Sequence, residues 1–466
     1  MIESAVDFVL GLGPAVMLPI IITLFGVLLG QGFKKSFRAG VTIGIGFVGI
    51  NLVVGLLFAS LGPAAAQFVN RLGIQLDVID VGWPIGAAMS FGTPVAPLLI
   101  PLVLVANIIL LALNFTKTMN IDLWNYWHFI FAGSVMYFAT NSIPLALAVG
   151  VLTSVIVLKL ADWTQPVLEH HFGLPGVSLP HTETVNWGPI TYLLEKVENK
   201  IPGFNKLDVK PETLTKRFGV FGEPMVLGLV LGILIGVMAG LDLAGVLIVG
   251  IELAAVMTLL PRMVAILMEG LLPLSEGIRI FIQGRFPNKD VHIGLDAAVV
   301  IGHPAGMAVA LVMVPIVLVM AAILPYNRML PLADLPVLPF VVIWAVAASR
   351  GNIFRGIVNS IIVMAMIFFF ATEFAPLATE IGRSIGFNFP PEAQGSLISG
   401  IDLGAHILPW IIIKVMQPGD PYFIAGIVAA VAYGAIWWFV RNDIRKQYAS
   451  EIAEAEAARK AALEQA

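Results

Sequence analysis

Two stretches of this 466-residue chain read almost alike: IPLVLVANIILLALN at Ile100–Asn114 and VPIVLVMAAILPYN at Val314–Asn327. They lie about 214 residues apart, each about twenty residues after an aspartate, Asp80 and Asp296. GPAVMLPIIITLFGVLLGQG from Gly13 likewise matches GEPMVLGLVLGILIGVMAG from Gly222 at an offset of 209, Asp122-Leu123 matches Asp334-Leu335 at 212, and Asn141 matches Asn352 at 211. Four blocks in one order at a nearly constant shift describe an internal duplication, so the fold is built twice.

The medium follows from composition. The chain is 58% hydrophobic and 12% charged with a mean hydropathy of +0.93, whereas soluble domains carry roughly 25% charged residues. An all-α polytopic membrane protein is the expectation, with lipid as its solvent. The net charge of −4 says little, because such chains are sorted by where Lys and Arg lie rather than by their sum, and no nucleic-acid partner is expected. The absence of cysteine excludes disulfides, thiolate metal ligands and a phosphocysteine on this chain. MIESAVDFVLGLGP puts an acid before the first apolar run and no basic region ahead of it, so it reads as a first span rather than a cleaved signal.

A span needs about 20 apolar residues, which places helices near 10–30, 41–60, 96–115, 126–142, 143–161, 223–241, 244–267, 305–325, 335–349, 353–372 and 421–440, eleven in all. Lys34, Lys35, Arg38, Lys117, the lysines from Lys196 to Lys216, Arg262, Arg279, Arg285, Arg350, Arg355 and the tail from Arg441 then share one side, against Arg71, Arg328 and Arg383 on the other. The positive-inside rule puts the N-terminus outside and the C-terminus in the cytoplasm. Five spans per copy is an odd number, so the second copy enters the bilayer inverted. That is a ground plan of secondary transporters, which hold substrate near the midplane between the halves.

Segments 78–97, VIDVGWPIGAAMSFGTPVAP, and 292–306, HIGLDAAVVIGHPAG, are apolar but broken by Gly, Pro and Asp, and read as re-entrant hairpins. A third, SLISGIDLGAHILPW at 396–410, repeats the Ile-Asp-x-Gly pattern of 79–82. Irregular backbone survives at membrane depth only inside protein or along a wet cavity, and an intramembrane ionisable residue marks a functional site by default. Asp80, Asp296, Asp402, His128, His303 and His406 are therefore the candidate polar lining, with Trp83 or Trp127 offering a flat apolar face. Such a set suits a neutral polyhydroxylated solute. The competing reading of Asp80 and Asp296 is as caps for free N–H groups of the hairpins.

The organisation expected is a first repeat over 1–161, a cytoplasmic loop over 162–218, a second repeat over 219–372, a re-entrant segment and last span over 373–440, and a cytoplasmic tail over 441–466. The loop contains His181, between Pro180 and Thr182, and leads to Glu223 at the start of span six. Glu223 either favours the helix dipole or accepts a hydrogen bond over the cavity.

The blocks VIDVGWP, NIDLWNYWHF, LPHTET, KRFGVFGEP and IGLDAAVVIGH, with the run from Gly11 to Ile50, resemble the galactitol-type membrane subunit, enzyme IIC, of the bacterial phosphotransferase system, over nearly the whole chain. The resemblance, together with the related ascorbate-type subunits, implies eleven spans in inverted repeats, a homodimer and an elevator-like motion in the inner membrane. It implies uptake of a sugar or sugar alcohol coupled to its phosphorylation by a phosphorylated IIB protein, itself supplied by IIA, docking on the cytoplasmic face. Those carriers would be separate chains, and no cofactor or metal is expected here. The resemblance places His181 and Glu223 near the phosphorylated hydroxyl and Asp80, His128, Asp296 and His303 around the sugar. An H⁺- or Na⁺-coupled secondary transporter using the membrane aspartates is the alternative.

Overall fold

Apolar runs in lipid must satisfy every backbone N–H and C=O internally, which a helix does alone and a strand does only with neighbours. Both solutions occur in the computed structural model, which describes residues 14–28, 30–73, 76–207, 209–218, 223–285, 291–387, 395–450 and 453. The first half runs α1 (Pro14–Leu28), α2 (Phe33–Leu72), β1 (Val78–Asp80), α3 (Trp83–Phe91), α4 (Ala96–Ala112), β2 (Thr118–Asn120), α5 (Tyr126–Thr140), α6 (Ile143–His170), β3 (Val177–Ser178), α7 (Thr182–Val185) and α8 (Gly188–Glu198). After the connecting α9 (Pro211–Phe218) come α10 (Pro224–Ala239), α11 (Leu243–Arg285), β4 (His292–Gly294), α12 (Pro304–Ile323), β5 (Met329–Leu330), α13 (Leu338–Ala348), α14 (Ile353–Ser384), β6 (Leu397–Ser399), α15 (Ile401–Gly404) and α16 (Ile407–Val415). The chain closes with α17 (Phe423–Val440) and α18 (Asp443–Gln447). Apart from a 3-10 turn at Ala297–Val299 where the first half has α3, the second half repeats the first element by element.

Six helices among the described residues are long and apolar enough to cross a membrane, and α3 with α4 forms a further candidate bent by 93°. The eleven expected windows therefore differ in kind. Some lengthen well beyond a bilayer: α2 and α11 have 40 and 43 residues, about 60 Å of helix, and they pack along each other. Others are too short to span alone, since α5 has 15 residues, about 22 Å, and is buried rather than lipid-facing. The window 10–30 falls partly, and the tail beyond 450 almost wholly, outside the described residues. Glycine permits close helix approach: a Cβ at Gly232 of α10 would stand 2.6 Å from the Val249 carbonyl oxygen of α11.

The six strands were not foreseen. They form two parallel three-stranded sheets, β5-β1-β6 and β2-β4-β3, in which each central strand belongs to one half and both neighbours to the other. Val78 pairs with Met329 and Leu397, and Ile293 pairs with Met119 and Val177. Matching the sheets strand for strand sets Val78 on His292 and Asp80 on Gly294. Asp296 then corresponds to Gly82, two residues from the alignment of the two aspartates that the sequence favours.

The segment read as a cytoplasmic loop also enters the core, because every residue from 177 to 192 is buried. Ser178, His181, Thr182, Glu183 and Asn186 look like loop chemistry to a hydropathy window. They sit instead where β3 and α7 meet the second half.

Candidate functional site

Carboxylates hold the strand ends together. Asp80 Oδ1 accepts from Gly82 N (3.0 Å) and its Oδ2 from Asp334 N (2.7 Å). Asp334 Oδ1 accepts from Trp83 N (2.7 Å) and its Oδ2 from Asp402 N (3.1 Å). The matching residue of the first half, Asp122, accepts from Trp124 N (3.1 Å) and, across the halves, from Asp296 N (3.1 Å). These bonds satisfy backbone donors that sheet and helix leave free. Gly400 permits the approach, since a Cβ there would lie 2.5 Å from Asp334 Oδ2. At the exposed edge of the first sheet, Arg328 Nε donates to Asp77 Oδ1 (3.0 Å) and a second guanidinium bond completes the pair, holding the Asp77 carboxyl below its ordinary range.

Between these pins lies a chain of histidines. His406 Nδ1 is 2.8 Å from the backbone carbonyl of Asp402. A carbonyl has no proton to give, so Nδ1 carries the hydrogen and Nε2 of a neutral ring accepts. His128 Nδ1 therefore donates to His406 Nε2 (2.9 Å), and His128 Nε2 accepts from His181 Nε2 (3.2 Å). His181 Nε2 also lies 3.2 Å from Asp296 Oδ2, whose Oδ1 caps the following turn at Ala298 N (2.7 Å). One ring nitrogen ends the chain: His181 Nδ1 is buried, has no partner and carries the free lone pair. Glu183 Oε1, Asp402 Oδ1 and Thr182 Oγ1 are likewise buried without partners.

The walls are aromatic. The Trp127 ring lies 4.2 Å from His128 and 5.5 Å from His406, Phe131 lies 4.9 Å from His406, and Phe340 lies 6.0 Å from His181. Trp83 stands edge-on to Trp124 at 5.8 Å. A polar network within apolar walls can bind hydroxyls by hydrogen bonds and a C–H face by contact. His128, Asp402 and His406, and separately His128, His181 and Glu183, bring ligand-type atoms within 4.8 Å of one another. Their histidine nitrogens already bond each other, so an ion would have to break the chain.

The structure thus gathers Asp80, Trp83, His128, His181, Asp296, Asp402 and His406 into one connected region. His303 occupies the N-cap position of α12 without a side-chain bond to it and packs on His171 (4.8 Å) and Phe172 (5.4 Å), apart from the histidine chain. Glu223 caps α10 without a side-chain bond to it. Sequence reasoning missed Asp122, Asp334, Glu183 and Asn186, whose Nδ2 donates to Ala405 O (3.2 Å). For Asp122 and Asp334 the signal was present, because one aspartate recurs at the same place in both copies.

Residues 8–393 match the model of the EIIC-GAT family, the sugar-specific permease component of the PTS. The galactitol-specific EIIC component of the PTS in Escherichia coli (strain K12) is 35% identical over 449 residues, 96% of this chain and 99% of that one. A putative permease IIC component of the same organism is 38% identical over 425 residues, 91% of this chain and 96% of its own length.

Proposed function

Because the chain belongs to the EIIC-GAT family of PTS sugar-specific permease components, we propose that it moves a sugar alcohol of the galactitol type across the inner membrane while a separate, phosphorylated IIB protein phosphorylates it. The observation that carries the site assignment is the buried lone pair on His181 Nδ1, with Asp296 behind the same ring. A polyol hydroxyl donates to Nδ1. As that oxygen forms its bond to the phosphoryl group and the sulfur–phosphorus bond of the IIB phosphocysteine breaks, the proton passes to Nδ1 and the thiolate leaves with its electron pair. The Nε2–H bond to Asp296 stabilises the imidazolium so formed, as general-base catalysis requires. Glu183 and Asp402, with oxygens still unpartnered, hold further hydroxyls.

The recurring order of elements and the exchanged strands support two inverted repeats. The paired helices α2 and α11 form the static scaffold of an elevator, with the two sheets and their helices as the moving core. The distribution of Lys and Arg supports an N-terminus outside and a cytoplasmic C-terminus. Assembly as a homodimer rests on the resemblance to the ascorbate-type subunits.

The test is His181→Gln in purified protein. Polyol binding should stay within about threefold of wild type, while IIB-dependent phosphorylation falls about 10²- to 10⁴-fold. Phosphorylation at the wild-type rate would remove His181 from the chemistry.

A further inference from the structure

Away from the histidine chain, a cavity of about 480 Å³ opens at the far end of α13, where α8 and α18 meet it. The α13 helix joins the two places. Phe340 faces His181, and Arg350 follows ten residues later, about 15 Å along the axis.

Four cations, Lys196, Lys210, Arg350 and Arg355, line this cavity against two carboxylates, Glu195 and Asp443. Lys196 is matched by Asp443 (2.9 Å), and Arg355 by Glu195 and by Glu198 (3.4 Å). Burial pushes the Glu195 carboxyl up to about 7, so near neutral pH it offsets only part of a charge. Arg350 donates from Nη2 to a neutral acceptor, the Gln447 carbonyl (2.9 Å). Tyr192, 3% exposed, presents a hydroxyl with no partner to this lining, although buried hydroxyls normally bond.

The backbone adds an independent observation. Arg350 has φ +52, the left-handed position that ends α13, where glycine fits best. The left-handed residue that ends α5 is Asn141, also at φ +52, a residue that tolerates this region. An arginine there bears a conformational cost that its side chain must offset.

We propose that this cavity is a phosphomonoester site that takes the phosphate of the sugar-phosphate product on its way out, with Arg350 as the charged ligand and the Tyr192 hydroxyl as a second donor. The assignment to product rests on the reading above, whereas anion binding does not. Purified full-length protein is titrated with inorganic phosphate at constant ionic strength, following thermal stabilisation and heat of binding. Arg350→Gly is the deciding variant, because it removes the guanidinium and supplies the residue the backbone favours, so the fold is retained. Phosphate should stabilise the wild type saturably, with affinity about tenfold lower in Arg350→Gly and a few-fold lower in Tyr192→Phe. No saturable phosphate effect, or an equal one in Arg350→Gly, overturns the site. Galactitol phosphate binding more tightly than inorganic phosphate assigns the site to product, and equal affinity overturns that assignment. Failure of IIB-dependent phosphorylation in the same preparation would count against the functional reading alone.

Discussion

The two halves contribute matching strand ends that are used differently. At the end of β1, Asp80 and Asp334 spend both oxygens on backbone N–H groups. After β4, Asp296 spends one oxygen on a cap and turns the other to His181. A framework repeated twice thus turns a carboxylate oxygen toward a ring after β4, where the Asp80–Asp334 pair has none to spare. The first cluster fixes the loops, and the second keeps a carboxylate free to act on a ring.

Substitutions that separate stability from chemistry test this contrast. Asp296→Asn keeps the cap through its amide oxygen but points N–H₂ at His181 Nε2. The imidazolium formed at His181 then has no carboxylate to stabilise it, and IIB-dependent phosphorylation should fall about 10²- to 10³-fold with little change in melting temperature. Equal losses of stability and rate would erase the distinction. Asp334→Ala does the reverse. It leaves the buried N–H groups of Trp83 and Asp402 unpaired, at about 1–3 kcal/mol each, visible as a fall of several degrees in melting temperature in detergent. Gly400→Ala pushes a methyl into Asp334 Oδ2 and should cost about 1–3 kcal/mol. Unchanged melting would show that the cluster yields more easily than its distances imply.

The smallest effect is on pH dependence. Burial raises the Glu195 carboxyl from 4.5 to about 7, so between those values the folded protein holds a proton that the unfolded chain has lost. Stability then declines as pH rises from about 4.5 to about 7. Glu195→Gln should flatten that slope in melting temperature, and an unaltered slope would assign it to other groups.

Much of the fold was legible because hydropathy reports burial in lipid and the repeat reports topology. Long helices such as Ile143–His170 and Ile353–Ser384 stand where the windows put them, with extended ends. The strands were not legible, since two or three residues show no alternating pattern and their partners lie in the other half. Buried 177–192 was hidden for the opposite reason: a polar core and a solvated loop have the same composition. The intramembrane rule singled out Asp80, Asp296, Asp402, His128, His303 and His406 and the family resemblance added His181; the structure brings all of these but His303 into one connected region. No sequence rule distinguishes Asp334, spent on backbone, from Asp296, aimed at a ring.

The most direct test of the account loads vesicles containing this protein with phosphoenolpyruvate, the general carriers and a cognate IIA/IIB pair, then follows labelled galactitol. The account predicts internal sugar phosphate that requires IIB and survives an uncoupler. Free polyol accumulating without IIB, and lost on uncoupling, would contradict it and make Asp80, Asp296 and Asp402 ion-coupling residues instead.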